Sequence, residues 1–380
     1  MALVLTEEQE LLRHSAREFV TKNSPLKRVR ALRDSRDPVG FSRELWSEMA
    51  QLGWLGIIFP ETFGGAGLGY MDLIVVMEEL GRNLLPEPML ANVLLGGNAI
   101  LLGGNESQQQ TLLPPLIEGK LLLTVACHEP RARYDLHRVA TRADRSGRGW
   151  QLSGTKTLVP DGNVADRLVV AARTAGAATD RDGITLFLVN RSASGVSVTP
   201  QSVVDSRNAA VVSLDNVPVT EADVVGQVDH GGELLAAVID RASVGLCAEM
   251  LGSMSAAFEM TLDYLRTRTQ FGVLIGTFQA LKHRAAKLYT ETELARSAVM
   301  AAAQAVDTND RDLPLLVSLA KARCSDSFVL IGNEGIQMHG GIGMTDEHDI
   351  GLFAKRARAA QLTFGDAAYH RNRYAELSGY

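Results

Sequence analysis

Arg268-Thr-Gln-Phe-Gly-Val-Leu-Ile-Gly-Thr-Phe-Gln279 is the stretch that decides the fold, together with Gln337-Met-His-Gly-Gly-Ile-Gly343. The first stretch places a guanidinium, an aromatic ring and a carboxamide on a predicted helical run from about Leu234 to about Ala305, with one break near Phe271-Gly272. Arginine grips pyrophosphate by paired, charge-assisted hydrogen bonds. The second stretch adds a carboxamide beside paired glycines, whose missing Cβ lets backbone N–H groups approach an anion closely. Together they predict the two halves of a contact set for a flavin dinucleotide.

The N-terminal half carries three further motifs. They are Gly53-Trp-Leu-Gly-Ile-Ile-Phe-Pro-Glu61, Gly64-Gly-Ala-Gly-Leu-Gly69 and Glu78-Glu-Leu-Gly81. A glycine cluster alone usually marks a turn, but these motifs occur with the C-terminal stretches in one order and spacing. On these residues the chain resembles the acyl-CoA dehydrogenase family over essentially its whole length. The resemblance implies FAD as the cofactor and an acyl-CoA thioester as the substrate.

The composition is that of a globular protein with more than one domain. The chain has 380 residues, of which 46% are hydrophobic and 22% charged, so it can bury large cores and should form two or three domains. Its net charge of −6 argues against nucleic-acid binding, which requires a basic face. Cys127, Cys247 and Cys324 lie far apart without paired spacing, which favours a reducing cytoplasm and predicts no metal site.

Two features argue against export and membrane spanning. The start of the sequence has no basic segment followed by an apolar core, as a signal peptide would require. The apolar region 84–104 is interrupted by Pro86-Glu-Pro88, so it does not form an unbroken apolar span. We therefore expect a cytoplasmic protein without a membrane partner.

The hydrophobic periodicity changes twice along the chain. In residues 1–120 apolar residues recur at three and four positions, and glycine-rich loops separate several helices. Residues 121–228 contain short alternating or β-branched runs between turn residues, as in a small β-barrel or sandwich. Residues 229–380 return to long helices. We predict an α+β fold with an N-terminal all-α domain, a middle β domain and a C-terminal all-α domain, which the resemblance makes a four-helix bundle.

The resemblance also assigns the cofactor contacts residue by residue. In the family the flavin ring lies between the barrel and the C-terminal helices, and the adenine end reaches a neighbouring subunit. Two sets of residues match the family's pyrophosphate and adenine contacts: Arg268, Phe271 and Gln279 in the first, and Gln337, Gly340 and Gly341 in the second. The resemblance therefore implies a dimer or a dimer of dimers.

Two motifs of the β domain depart from the family. Members carry a loop like Thr-Glu-Pro-Gly-Ala-Gly-Ser-Asp beside the flavin, whereas this chain has His128-Glu-Pro-Arg-Ala-Arg-Tyr-Asp135. The family's Lys-x-Trp-Ile-Thr-Asn-Gly appears as Lys156-Thr-Leu-Val-Pro-Asp-Gly162, without the indole and the hydroxyl. Arg131 and Arg133 replace glycines at the mouth of the CoA channel. We expect at least one to bind a CoA phosphate; two solvated loop arginines are the alternative.

The catalytic base is a third departure. Desaturation between Cα and Cβ needs a carboxylate to remove the Cα proton while hydride leaves Cβ for the flavin. Most members place a glutamate where this chain has Phe364. A minority carry the base on the helix before the Arg268 stretch, where Glu249 and Asp240 are candidates. Glu249 is favoured because it lies among small residues with no cation one helical turn away; the third alternative is that the chain has no base.

Two functions follow from this pattern. In the first, the chain oxidises an acyl-CoA to the trans-2-enoyl-CoA and passes electrons to an electron-transfer flavoprotein. In the second, it is a catalytically silent subunit of a hetero-oligomer that completes its partner's FAD site. The sequence leaves the acyl group and the choice between homo- and hetero-oligomer open.

Overall fold

The computed structural model describes residues 4–380, and the chain in it divides into two compact units. One unit holds the residues up to Ser35 together with Gly69–Leu85 and Ser243–Tyr380. The other holds Arg36–Leu68 and Pro86–Ala242. The division falls inside one long helix, between Ala242 and Ser243.

The N-terminal third is helical. Its helices are α1 (Glu7–Asn23), α2 (Leu26–Ser35), α3 (Arg43–Gln51), α4 (Tyr70–Arg82), a π-helical segment (Met89–Gly97), α5 (Asn98–Gly103) and α6 (Glu106–Ile117). Thr6 starts α1 as a capping box, because its hydroxyl accepts from the Gln9 N–H (3.2 Å) and the Gln9 side chain accepts from the Thr6 N–H (3.1 Å).

The middle segment forms one sheet. Its strands are β1 (Leu123–Ala126), β2 (Arg142–Ser146), β3 (Gly149–Pro160), β4 (Arg167–Arg173), β5 (Ile184–Asn190), β6 (Val196–Pro200), β7 (Ala209–Thr220) and β8 (Val224–Val225). The order across the sheet is β6-β7-β3-β2-β4-β5-β8, and β1 pairs in parallel with β4. Trp150 and Phe187 meet edge to face in the core of this sheet, with ring centroids 5.3 Å apart.

The C-terminal part is again helical. Its elements are α7 (Gly231–Thr267), a hairpin of β9 (Thr269–Gln270) and β10 (Val273–Leu274), α8 (Gln279–Asp307), α9 (Leu313–His339), α10 (Ile350–Leu362) and α11 (Ala367–Leu377). Gly81 on α4 and Gly252 on α7 allow these two helices to cross closely. A Cβ on Gly81 would lie 2.1 Å from the Glu249 carbonyl oxygen, and one on Gly252 would lie 1.7 Å from that of Glu78.

The α+β class and the order helix, sheet, helix are confirmed. Two local predictions were wrong. The Arg268 stretch is not helical: its residues form the β9–β10 hairpin and a short 3₁₀ turn between α7 and α8. The sequence also gave no sign of β2, which has a single buried residue and therefore no alternating pattern. Within residues 4–380, no helix is long and apolar enough to cross a membrane.

Candidate cofactor and active site

The β9–β10 hairpin turns at Phe271-Gly272. Both residues have positive φ (53° and 77°), as in a type I′ turn. Glycine adopts this conformation freely, whereas an aromatic residue pays about 1–2 kcal/mol. Phe271 is nevertheless 90% exposed, and its ring meets only the edge of the Phe278 ring, 6.2 Å away. A strained, exposed aromatic ring at a hairpin tip indicates a surface shaped for another molecule.

The sequence-predicted cofactor residues of the first set share this exposure. Arg268 and Gln279 are exposed, and neither side chain has a hydrogen-bond or ion-pair partner among the described residues. Arg266, two residues before Arg268, pairs with Asp263 instead. The guanidinium of Arg268 is thus held on a folded hairpin but is not used by the chain's own side chains.

The second set lies at the end of α9. Gln337 is exposed, and α9 ends at His339, after which Gly340 has a φ of 67°. A Cβ added at Gly340 or Gly341 would meet nothing within 4 Å. Packing inside this chain therefore does not require the two glycines, although the positive φ favours one at position 340. Nearby Met344 is 78% exposed.

Glu249 is buried and ion-paired. Its Oε1 accepts from Nε of Arg356 on α10 (3.0 Å) and lies 2.9 Å from Nη2 of the same guanidinium. Both side chains are almost fully buried. Burial of a pair costs desolvation, which the mutual attraction and the hydrogen bonds offset. Asp240, the other candidate base, is also buried, nine residues earlier on α7.

The turn that carries the base in most family members is part of the interior here. Phe364 is buried with a φ of 59°. The buried ammonium of Lys321 donates to the carbonyls of Gly365 (2.8 Å) and Gln361 (3.1 Å), and His370 Nε2 contacts the Phe364 carbonyl at 3.0 Å. Burial lowers the pKa of Lys321 to about 8. Burial, with the charge of Lys321, lowers the pKa of His370 to about 3.

Asp366, two residues after Phe364, has a structural role. Its carboxylate accepts from the Tyr369 N–H at 2.9 Å and thereby caps the N-terminus of α11. The sequence left open whether this residue shapes the turn or contacts the cofactor. The capping contact accounts for the turn.

In the other unit, the two departing motifs meet. The Glu129 carboxylate accepts from the Lys156 ammonium (2.6 Å), the Thr141 N–H (2.9 Å) and the Ala140 N–H (2.7 Å). Burial raises the pKa of Glu129, but the Lys156 charge and these hydrogen bonds outweigh it, so the pKa is lowered. Burial lowers the pKa of Lys156 despite its partner. This buried pair fixes both ends of loop 129–141.

The backbone joins the same motifs. The Thr157 N–H donates to the His128 carbonyl at 2.9 Å, and the Leu158 N–H donates to Gln201 Oε1 at 2.7 Å. The β3–β7 register shifts between Lys156 and Val159, and at this bulge Leu158 has a φ of 50° and is 52% exposed. The position where the family has tryptophan is therefore presented outward on a bulge. Burial and the Lys156 charge lower the pKa of His128 to about 4.

Arg131 and Arg133 extend from loop 129–141. Both are exposed, and Arg133 has a φ of 52° with its guanidinium 5.5 Å from the centre of the Tyr134 ring. The anchored ends of the loop and the exposed arginines together make a small basic surface on this unit.

Two residues of the site escaped the sequence analysis. Arg356 lies 107 residues from Glu249, and no local pattern links them. Lys321 reads as an ordinary helical lysine on α9, yet it is fully buried. Only a contact between distant helices identifies either residue.

Comparison with known proteins agrees with this architecture. Sequence models of the acyl-CoA dehydrogenase N-terminal, middle and C-terminal domains match residues 6–120, 124–217 and 229–378. The mitochondrial isovaleryl-CoA dehydrogenase of Pongo abelii is 30% identical over 376 residues, which is 97% of this chain and 88% of that protein.

Two similar solved structures are complexes by their titles. The Tcur3481-Tcur3483 steroid ACAD is 32% identical with a TM-score of 0.87, and the match covers 98% of both chains. The ChsE4-ChsE5 complex from Mycobacterium tuberculosis is 26% identical with a TM-score of 0.90, covering 100% of both chains. With all three domain models matched in order, the chain belongs to the acyl-CoA dehydrogenase family, whose members are FAD-dependent oxidoreductases.

Proposed function

We propose that this chain catalyses the α,β-dehydrogenation of an acyl-CoA thioester to the trans-2-enoyl-CoA, with FAD as its cofactor. The observation that supports this most directly is the pair of exposed, unpartnered donor sets on one unit. Arg268 and Gln279 form the first, and Gln337 with the open Gly340-Gly341 backbone forms the second. When bound, FAD supplies the acceptor for the hydride that leaves Cβ.

The residues present fit a dinucleotide. A guanidinium with no internal partner can hold a pyrophosphate by paired hydrogen bonds. Space beside Gly340 and Gly341 lets an anionic or planar group approach the backbone, because no side chain fills it. Arg268, Phe271, Gln279, Gln337 and the two glycines are the residues that would hold the cofactor.

Glu249 is the proposed base for the Cα proton. It is a buried carboxylate on α7, at the place where a minority of the family carries the base. To accept a proton, its Oε1 must exchange the Arg356 guanidinium for the substrate's Cα–H. The role thus requires a shift of this ion pair when substrate enters. Asp240 is the alternative base.

Arg131 and Arg133 are proposed to bind a phosphate of CoA. Both guanidinium groups are exposed on a loop whose ends are fixed by Glu129. The Arg131→Ala and Arg133→Ala variants should weaken acyl-CoA binding at low salt, where charge attraction is least screened. Arg148→Ala, an exposed arginine at the β2–β3 turn, is the matched control. Unchanged affinity in both loop variants would reject this contact.

The assembly proposed is a dimer or a dimer of dimers. The exposed hairpin with Phe271 suits a contact in which one copy completes the cofactor site of another. An electron-transfer flavoprotein is the proposed acceptor of the electrons, as for the family, and a cytoplasmic location is proposed with it. A flavin-loaded monomer in sedimentation at micromolar concentration would contradict this assembly.

Anaerobic mixing with a panel of acyl-CoAs tests the activity. Flavin bleaching by wild type should fall about a hundredfold to ten-thousandfold in Glu249→Gln, since an amide cannot take the proton. Glu259→Gln, an exposed glutamate on α7, should bleach normally. Bleaching that survives Glu249→Gln but disappears in Asp240→Asn would transfer the role to Asp240.

A second candidate function is a silent subunit that completes a partner's FAD site. The ion pair favours it, because Arg356 competes with a proton for Oε1 of Glu249 and Phe364 occupies the usual base position. The two complexes among the similar structures are also compatible with a two-chain assembly. No bleaching by wild type alone with any substrate, and less than one FAD per chain, would favour this function.

A further inference from the structure

Three aromatic rings meet where the two donor sets approach each other. They belong to Tyr264 near the end of α7, His339 at the end of α9, and His348 just before α10. The ring centroids of Tyr264 and His339 are 4.5 Å apart, those of His339 and His348 are 4.2 Å apart, and those of Tyr264 and His348 are 6.3 Å apart. We refer to these three residues as the ring cluster.

Each ring is tied to one of the donor sets. The Arg268 N–H donates to the Tyr264 carbonyl at 2.9 Å, so Tyr264 lies one turn before the hairpin arginine. His339 directly precedes Gly340. His348 closes the far end of loop 340–347 on His339. The cluster therefore spans the gap between Arg268 and Gly340 by side-chain contact.

Both histidines are held neutral. His339 Nδ1 lies 2.7 Å from the Gly335 carbonyl, which can only accept, so the proton is on Nδ1. Its Nε2 is buried without a partner. His348 Nδ1 accepts from the Ile350 N–H at 3.2 Å. Burial lowers the pKa of His339 and of His348. The contacts are accordingly between neutral rings, which attract one another by stacking and edge contacts.

A second device holds the same loop independently. Arg33 on α2 forks onto Asp346, with Nη1 and Nη2 at 2.8 and 2.7 Å from the two carboxylate oxygens. Arg30 donates to Asp349 at 2.7 Å. These ion pairs fix the loop to α2 and do not involve the residues of the hairpin. They provide a comparison for the ring cluster.

We propose that Tyr264, His339 and His348 are positioning residues that set the spacing between the Arg268 hairpin and the Gly340-Gly341 turn, and so align the two halves of one dinucleotide-binding surface. The proposal rests on the proposed FAD site. Its structural part, that the rings couple the two segments, holds for the protein without any cofactor and is tested separately.

Hydrogen exchange of the cofactor-free protein tests the coupling. His348→Ala should speed exchange in loop 340–347 and also in the hairpin 268–274, where His348 has no place in the sequence. Arg33→Gln should speed exchange in loop 340–347 only. Hairpin exchange that is unchanged in His348→Ala would overturn the coupling, as would hairpin exchange that rises equally in Arg33→Gln.

FAD titration tests the alignment. His348→Ala should weaken FAD binding about tenfold, which corresponds to roughly 1.4 kcal/mol and to the loss of one or two ring contacts. His348→Phe keeps a ring and should restore most of the affinity. His283→Ala, an exposed histidine on α8, is the control. Equal affinity of wild type and His348→Ala would reject the alignment, and so would failure of His348→Phe to rescue.

The two failures are distinguishable. If wild type binds no FAD, alone or with a partner chain, the proposed function fails while hydrogen exchange still decides the coupling. If wild type binds FAD and His348→Ala binds it equally, the proposed function stands and the alignment proposal is wrong.

Discussion

Arg268 and Arg356 belong to one unit and are used in opposite ways. Arg268 lies exposed on a hairpin with no partner among the described residues, next to a strained and exposed Phe271. Arg356 is buried between helices and is bound to Glu249. The first arginine contributes little to the isolated fold and is available to a ligand. The second satisfies a buried carboxylate of its own chain.

The contrast extends to the surroundings of the two residues. Around Arg268 the chain leaves donors unused and space beside Gly340 and Gly341. Around Phe364 it fills the position of the usual base and binds the turn with Lys321 and His370. The cofactor edge has been kept open, and the family's usual base site has been rebuilt as interior. Variants of the open region should therefore change binding, and variants of the closed region should change stability.

Removing Arg356 should have the largest effect on stability. Arg356→Met leaves Glu249 buried without its cation, and loss of one partner of a buried pair costs about 3–5 kcal/mol. Urea unfolding of the cofactor-free protein measures it. Arg358→Met, an exposed residue of the same helix, should cost little. The Glu249→Gln/Arg356→Met double variant should recover most of the loss. A loss below about 1 kcal/mol in Arg356→Met would show that the pair is dispensable, contrary to its burial.

Removing Arg268 should change binding instead. Loss of a charged hydrogen bond to pyrophosphate costs about 1.5–3 kcal/mol, so the FAD affinity of Arg268→Ala should fall about tenfold to a hundredfold. The urea midpoint without FAD should stay that of wild type, since the side chain has no partner in the described chain. Arg266→Ala is the neighbouring control. Tight, stoichiometric FAD in purified Arg268→Ala would remove Arg268 from the cofactor site.

The sequence predicted the open region better than the closed one, and the reason is physical. Arg268, Gln279 and the glycines lie in two short motifs whose residue types match the chemistry of a phosphate ligand. The Glu249–Arg356 pair joins α7 to α10 across 107 residues, and no local pattern encodes such a contact. The helical prediction at Phe271 was wrong because the left-handed turn there is set by the whole hairpin. The strand β2 was missed because its residues are mostly exposed and polar.

Acid should act on the closed region through His370. Its pKa is about 3 in the folded chain, below the ordinary value of about 6.5, so the unfolded chain binds the extra proton first. The stabilising contribution is present above pH 6.5 and is lost as the pH falls towards the folded value. Between about pH 8 and pH 5 it amounts to about 2 kcal/mol.

Unfolding measured across that range tests this effect. In His370→Gln an amide can still donate to the Phe364 carbonyl but does not titrate, so the acid-dependent loss should shrink by about 2 kcal/mol. His14→Gln, an exposed histidine on α1, should leave the pH dependence unchanged. An unchanged slope in His370→Gln would show that other groups cause the acid sensitivity.

The smallest stability effect expected is at Phe271, and there the two measurements should move in opposite directions. Asn-Gly is the favoured pair for a type I′ turn, so Phe271→Asn should relieve about 1–2 kcal/mol of backbone strain and lose an edge contact worth about 0.5–1.5 kcal/mol. The net change is a gain of about 0.5 kcal/mol in the unfolding free energy, read from urea unfolding without FAD. FAD binding and self-association should weaken at the same time, because the exposed ring would be missing from the shared surface. Tyr289→Asn, another exposed aromatic position, controls for loss of surface area. If Phe271→Asn instead lowered stability and left FAD binding and sedimentation unchanged, Phe271 would belong with Arg356 among the residues that serve the fold, and the division between an open and a closed region would fail at its most exposed residue.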